Sequence, residues 1–225
     1  MTVEIRRGSA RFVDRAPGRL TRHAFSFGAH YDPERVGFGP LVCHDDHILG
    51  SGQGFETHPH SDLEIVTWVV SGALRHTDSS GSSGVLEAGS VGVLSTGARV
   101  EHSEHATEAG PCRFVQAWLP SVDGESEPGY AARPVSLPVG GLVQLAQPRL
   151  DSALWVARLD GRLDGQGSLE LPVAPRLHVY VATGALLRSS LAEPLAAGDA
   201  FLMTDEPVHT VAPGVPTDLL LWTLP

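Results

Sequence analysis

The segment Glu64 to Val70 is a mostly apolar run rich in β-branched side chains, the pattern of a buried strand. It closes at Ser71-Gly72 and the chain resumes with Ala73-Leu74. The same pattern returns in the second half. Val69-Val70-Ser71-Gly72-Ala73-Leu74 has a counterpart in Val181-Ala182-Thr183-Gly184-Ala185-Leu186, an offset of 112 residues from Gly72 to Gly184. With gaps between, Leu86-Glu87-Ala88-Gly89 is echoed by Leu195-Ala196-Ala197-Gly198, and Leu94-Ser95-Thr96 by Leu202-Met203-Thr204. Each half therefore reads strand, glycine turn, strand, glycine turn, strand. Asp78-Ser79-Ser80-Gly81-Ser82-Ser83-Gly84 carries hairpin-loop chemistry. Between the halves, Leu119 to Gly141 is rich in Pro, Gly and acids and lacks sustained periodicity. These patterns predict an all-β chain of two antiparallel jelly-roll barrels related by duplication, with domains over 1–120 and 142–225 and a connector over 121–141.

Composition agrees with that reading. Of 225 residues, 25 are Gly and 17 Pro, which argues against long helices, and 42% hydrophobic with 19% charged residues suits a globular chain with a full core. Acids number 26 against 16 bases, for a formal net charge of −10, and every base is Arg. No basic cluster exceeds Arg6-Arg7, so direct binding to nucleic acid is not expected. Membrane association is not expected either. Met1 to Leu20 has no apolar signal region, and Leu219-Leu220-Leu221-Trp222 is far too short to span a bilayer. The expectation is a cytoplasmic protein whose Cys43 and Cys112 stay reduced as small buried apolar groups.

The candidate chemistry lies in the first half, which holds His23, His30, His44, His47, His58, His60, His76, His102 and His105, against His178 and His209 in the second. On a strand, residues i and i+2 share a face, so His58 with His60 and His102 with Glu104 form two pincers. An HxH alone reads more simply as exposed imidazoles on a turn. A second pincer on another predicted strand favours one shared metal ion, for which three imidazoles and a carboxylate suit Fe, Mn, Co, Ni, Cu or Zn. Phe25, Phe27, Tyr31, Phe38, Phe55 and Trp118 are available either to pack the core or to hold a planar ligand, and Tyr31-Asp32-Pro33 reads as a turn.

The spacing of Gly52, His58-Pro59-His60, Glu64 and Gly72 resembles the first motif of the cupin superfamily. Phe25-Ser26-Phe27, Tyr31-Asp32-Pro33, Gly52-Gln53-Gly54-Phe55, His76, Asp78-Ser79, Gly89, Gly97 and His102-Ser103-Glu104 narrow the resemblance to the pirin family, most of all its bacterial quercetinases. The match covers roughly residues 22 to 120 and only loosely the rest. Ser95 stands where other cupins often have Pro, and His102 follows Gly97 by five residues rather than three, departures that pirins share.

The resemblance implies a bicupin of two double-stranded β-helix barrels. The first would hold one divalent transition metal, iron foremost, through His58, His60, His102 and Glu104. Glu64 is the alternative ligand, or a group that orients a histidine. It also implies a dioxygenase that opens the central ring of flavonols such as quercetin with O2 and releases carbon monoxide. Glu104 would then be the catalytic base that takes the 3-hydroxyl proton. The rival reading is a metal-binding regulatory protein that modulates a transcription factor or metabolic enzyme through a protein partner, without turnover. A third is a metal-stabilised bicupin acting on some other substrate. In the second half the offset puts Glu170, Pro172 and Arg176 at the positions of His58, His60 and Glu64, and His209 lacks an HxE partner, so no metal is expected there. His178 is expected to be structural.

Overall fold

A computed structural model describes residues 1–122, 127–161 and 167–225. Apart from one 3-10 turn, Gly8–Ala10, its regular elements are all strands, as expected. The first twelve are β1 (Thr2–Arg6), β2 (Phe12–Ala16), β3 (Arg19–His23), β4 (Cys43–Leu49), β5 (Gly54–His60), β6 (Leu63–Ser71), β7 (Ala73–Asp78), β8 (Ser83–Glu87), β9 (Ser90–Ser95), β10 (Val100–Ala106), β11 (Cys112–Pro120) and β12 (Gly129–Pro134). The others are β13 (Leu142–Arg149), β14 (Ser152–Leu159), β15 (Leu169–Glu170), β16 (Arg176–Thr183), β17 (Ala185–Leu186), β18 (Leu195–Ala196), β19 (Ala200–Thr204), β20 (Thr210–Val211) and β21 (Thr217–Leu224). Among the described residues no helix is long and apolar enough to cross a membrane.

Two compact units result, one of Phe12–Val135 and one of Met1–Arg11 with Ser136–Pro225. The first has a seven-stranded sheet in the order β12-β9-β6-β11-β4-β3-β2 and a four-stranded sheet in the order β5-β10-β7-β8. The second has a six-stranded sheet, β1-β19-β16-β21-β14-β13, and the two-stranded pairs β15-β20 and β17-β18. Counterpart strands occupy counterpart places, so the duplication read from the sequence extends to strand order.

The turns repeat as well. Gly72 and Gly184 both adopt φ of +76°, a left-handed conformation that favours glycine. Ala88 N–H donates to the Gly72 carbonyl at 2.9 Å and Ala197 N–H to that of Gly184 at 3.1 Å.

The boundaries differ from those expected. β1 pairs with β19, Thr2 opposite Thr204, and so completes the sheet of the second unit at the place β12 fills in the first. β12 itself falls inside the expected connector. Local pattern does not say which sheet an edge strand joins.

In the first unit the core lies between the two sheets. Leu49, Val69 and Phe114 from the large sheet meet Leu74, Leu86 and Ala106 from the small one. Full burial of such side chains contributes about 1.5–3 kcal/mol each. Cys112 belongs to this cluster, and both cysteines are buried and unpaired with each other. In the second unit Val179, Val181, Leu219 and Leu221 centre a separate apolar core, and His178 is buried on the same strand, β16.

Candidate metal centre

Strand alternation decides which side chains enter the first unit. Along β10, Val100, His102, Glu104 and Ala106 are buried, whereas the residues between them are more exposed. On β7 the inward positions are Leu74, His76 and Asp78. β5 is an edge strand, where Pro59 removes no donor the ladder needs. Its register places His58 opposite His102 and His60 opposite Val100. Between His102 and Glu104 the register slips, so that Glu104 faces Phe55. Opposed residues share a face, so His58 opposite His102 aims both pincers inward, and the bulge brings Phe55 rather than Glu56 opposite Glu104.

The three imidazoles converge. Ring centroids are 4.9 Å apart for His58 and His60, 4.5 Å for His58 and His102, and 5.1 Å for His60 and His102. One ligand-capable atom from each lies within 4.8 Å of the others, and a second such group joins His102 and Glu104 to His76. His58 Nδ1–H donates to the Glu56 carbonyl at 2.7 Å, which leaves the Nε2 lone pair free. His60 Nε2 and both ring nitrogens of His102 are buried with no hydrogen-bond partner. Orphaned buried nitrogens are costly unless something absent from the protein itself completes them.

Electrostatics agree. Burial, reinforced by neighbouring imidazoles, lowers the pKa of His60 to about 4 and of His102 to about 3, so both are neutral donors at physiological pH. Burial raises Glu104 to about 7, against the opposing effect of hydrogen bonds from Gln116 and Thr67. Gln116 Nε2 donates to both carboxylate oxygens of Glu104, at 3.1 and 2.9 Å, and Trp118 Nε1–H donates to Gln116 Oε1 at 2.8 Å. Three imidazoles and a carboxylate fit a divalent transition metal.

Glu64, the alternative ligand, lies in neither cluster. Its oxygens accept from Ser95 at 2.6 Å and Ser121 at 3.0 Å. Glu64 and Thr67 are three residues apart on β6, so Thr67 turns toward Gln116 and Glu64 to the other face.

Three residues at the centre had no role assigned from sequence. Gln116 holds Glu104; its register partner on β6, Thr67, gave no sequence signal. His76 Nε2–H donates to Asp78 at 2.8 Å, and its ring stacks on Tyr130 at 3.8 Å and lies 5.5 Å from His102. The alternation Leu74, His76, Asp78 toward a polar interior was a signal for that pair.

A cavity of about 460 Å³ opens beside the cluster, with His58, His60, Glu104 and Gln116 in its wall. Of the aromatic residues singled out from sequence, Phe27, Phe55 and Trp118 line it. Phe25 is core and Tyr31 is exposed. Asp32 Oδ1 accepts from the Glu34 amide at 3.0 Å, as a turn-forming Asp does.

Residues 6–119 match the family model described as pirin. The chain belongs to the pirin family. It is 41% identical over 236 residues to a Mycobacterium tuberculosis protein named "Putative quercetin 2,3-dioxygenase", covering 99% of this chain and 95% of that one. It is 29% identical over 213 residues to an Escherichia coli K12 protein named quercetin 2,3-dioxygenase, covering 90% of each. Its fold matches the Escherichia coli pirin YhhW, solved in complex with nickel(II), with a TM-score of 0.88 and 25% identity over 100% of this chain and 99% of that one. The two units are thus the two barrels of a pirin-type bicupin. Among the described residues, both groups of metal-capable side chains lie on β5, β7 and β10 of this pirin's first barrel.

Proposed function

We propose that this pirin-family protein is a metal-dependent dioxygenase that opens the central ring of a flavonol with O2, and that His58, His60, His102 and Glu104 hold its single divalent ion. The observation that carries the reading is the convergence of buried, unpartnered imidazole nitrogens and Glu104 beside an aromatic-lined cavity of about 460 Å³. That volume lies in the range of sites for drug-sized ligands. The names of the relatives and the nickel(II) of the Escherichia coli pirin support it.

When bound, such an ion acts as a Lewis acid that acidifies a chelating enol and eases the reaction of its conjugate base with O2. The protein's own residues supply the rest. Glu104, a buried carboxylate beside the imidazole cluster in the cavity wall, is placed to accept the flavonol 3-hydroxyl proton. Gln116 fixes the carboxylate through both oxygens, and Trp118 fixes Gln116. Phe27, Phe55 and Trp118 offer apolar faces that exclude water from a planar substrate.

The test is aerobic incubation of metal-replete protein with quercetin, following loss of its visible absorption and release of carbon monoxide. Elemental analysis of the same sample identifies the ion. Glu104→Gln should keep the fold and lower turnover by about 10²–10⁴-fold. Equal turnover in the variant removes the base assignment. Wild-type protein that holds metal and leaves quercetin intact falls to the regulatory reading.

A further inference from the structure

The cavity has a second polar region, and the proposed ring opening makes no use of it. Register sets Thr67, Gln116, Asp45 and His23 in one cross-strand row over β6, β11, β4 and β3. Gln116 is committed to Glu104. Neighbouring strands lie about 4.8 Å apart, so His23, two strands beyond Gln116, is roughly 10 Å along the sheet, the reach of a multi-ring aromatic.

His23 is clamped between acids. Its Nδ1–H donates to Asp45 Oδ2 at 2.7 Å and its Nε2–H to Asp14 Oδ2 at 3.1 Å. Asp14 Oδ1 accepts in turn from His30 Nε2–H at 2.8 Å. Burial opposes a charge on His23, but the two carboxylates outweigh it and hold the pKa above the ordinary imidazole value. Both ring nitrogens are occupied, so His23 has nothing left to offer a ligand, and the carboxylates become the groups that can. Phe27 stacks on His23 with centroids 5.1 Å apart and meets the edge of Trp118 at 5.5 Å, which carries the aromatic wall from this row toward His60.

Charge sets what this region accepts. Among the described residues lining the cavity, the carboxylates of Asp14, Asp45, Glu56 and Glu104 outnumber the cationic groups, the guanidinium of Arg19 and the His23 ring that donates from both nitrogens. Arg19 is itself engaged, donating to the Gly54 carbonyl at 3.1 Å and lying 4.4 Å from the Phe55 ring centroid. A phenolic hydroxyl donates well to a carboxylate, whereas a ligand carboxylate placed here is repelled.

We infer that Asp45, positioned by the His23–Asp14 pair, forms a hydroxyl-binding subsite that selects polyhydroxylated flavonols over unsubstituted or carboxylated ones. The inference rests on the flavonol reading and adds a specificity determinant to it. A hydrogen bond to a charged acceptor is worth about tenfold or more in affinity.

The test compares anaerobic dissociation constants of the metal-loaded protein for quercetin, which carries further ring hydroxyls, and for 3-hydroxyflavone, which has only the chelating one. Wild-type protein is expected to bind quercetin about tenfold tighter. Asp45→Asn keeps an acceptor for His23 and so preserves the fold. It should weaken quercetin about tenfold and leave 3-hydroxyflavone unchanged. A 3-hydroxyflavone carrying a ring carboxylate should bind wild-type protein more weakly than its parent. An unchanged quercetin preference in Asp45→Asn, or an equal loss for both ligands, overturns the subsite. Normal binding differences without carbon monoxide release in air overturn the dioxygenase reading alone, and absence of binding by either flavonol overturns both.

Discussion

One of the protons released on metal binding should come from the Glu104 carboxylate. In the metal-free protein burial raises Glu104 to about 7, whereas it lowers His60 and His102 to about 4 and 3. A ligand must be deprotonated to bind. At pH 6 Glu104 would carry about 0.9 proton and at pH 8 about 0.1, whereas His60 and His102 would carry almost none at either pH. The difference in proton release between wild type and Glu104→Gln should therefore be about 0.9 at pH 6 and about 0.1 at pH 8. The same protonation lowers the wild-type affinity about tenfold from pH 8 to pH 6, because the proton on Glu104 competes with the metal. Calorimetric titration of apoprotein in buffers of different ionisation enthalpy reads both quantities. An equal release by wild type and Glu104→Gln at pH 6 would refute the assignment of Glu104 as ligand. A release of two or more protons by Glu104→Gln itself at pH 6 would refute the view that burial keeps His60 and His102 neutral.

Other predictions concern ligands, turns and acid stability. His58→Ala and His102→Ala should each bring metal content well below one ion per chain by elemental analysis, and full occupancy in both excludes the ligand set. Gly72→Ala places a Cβ against the Pro111 carbonyl oxygen at a φ of +76°. It should lower unfolding free energy by about 1–3 kcal/mol in urea titrations, and a neutral result would mean the turn relaxes freely. His178 has its pKa lowered to about 3, by burial first and then by the charges of Arg11 and Arg6. The unfolded chain takes up that proton near 6.5 and the folded protein does so only near 3, so stability is intact above 6.5 and falls with pH through that window. From pH 7 to pH 5 His178 alone should account for about 2 kcal/mol of the change, so His178→Leu should lose about 2 kcal/mol less than wild type over that window, and an identical acid slope in the variant refutes the account.

Local pattern alone carried the all-β class, the duplication and the two pincers. Alternation and turn chemistry are written in residues near one another, so HPH, HSE and the repeated glycine turns were readable without coordinates. The offset of 112 residues found between Gly72 and Gly184 reappears as matching φ values and matching sheet order.

Tertiary structure decided what depends on partners distant in sequence. Which sheet β1 completes is set by its pairing with β19, nearly 200 residues away along the chain. The exclusion of Glu64 from both ligand clusters follows from strand parity together with hydrogen bonds from Ser95 and Ser121. Gln116, Thr67, His23 and Asp45 look unremarkable in the sequence, because a polar residue on a strand is equally at home in water. They acquire roles only when register across four strands aligns them along one buried row, where each polar group must find a partner in the protein or in its ligand.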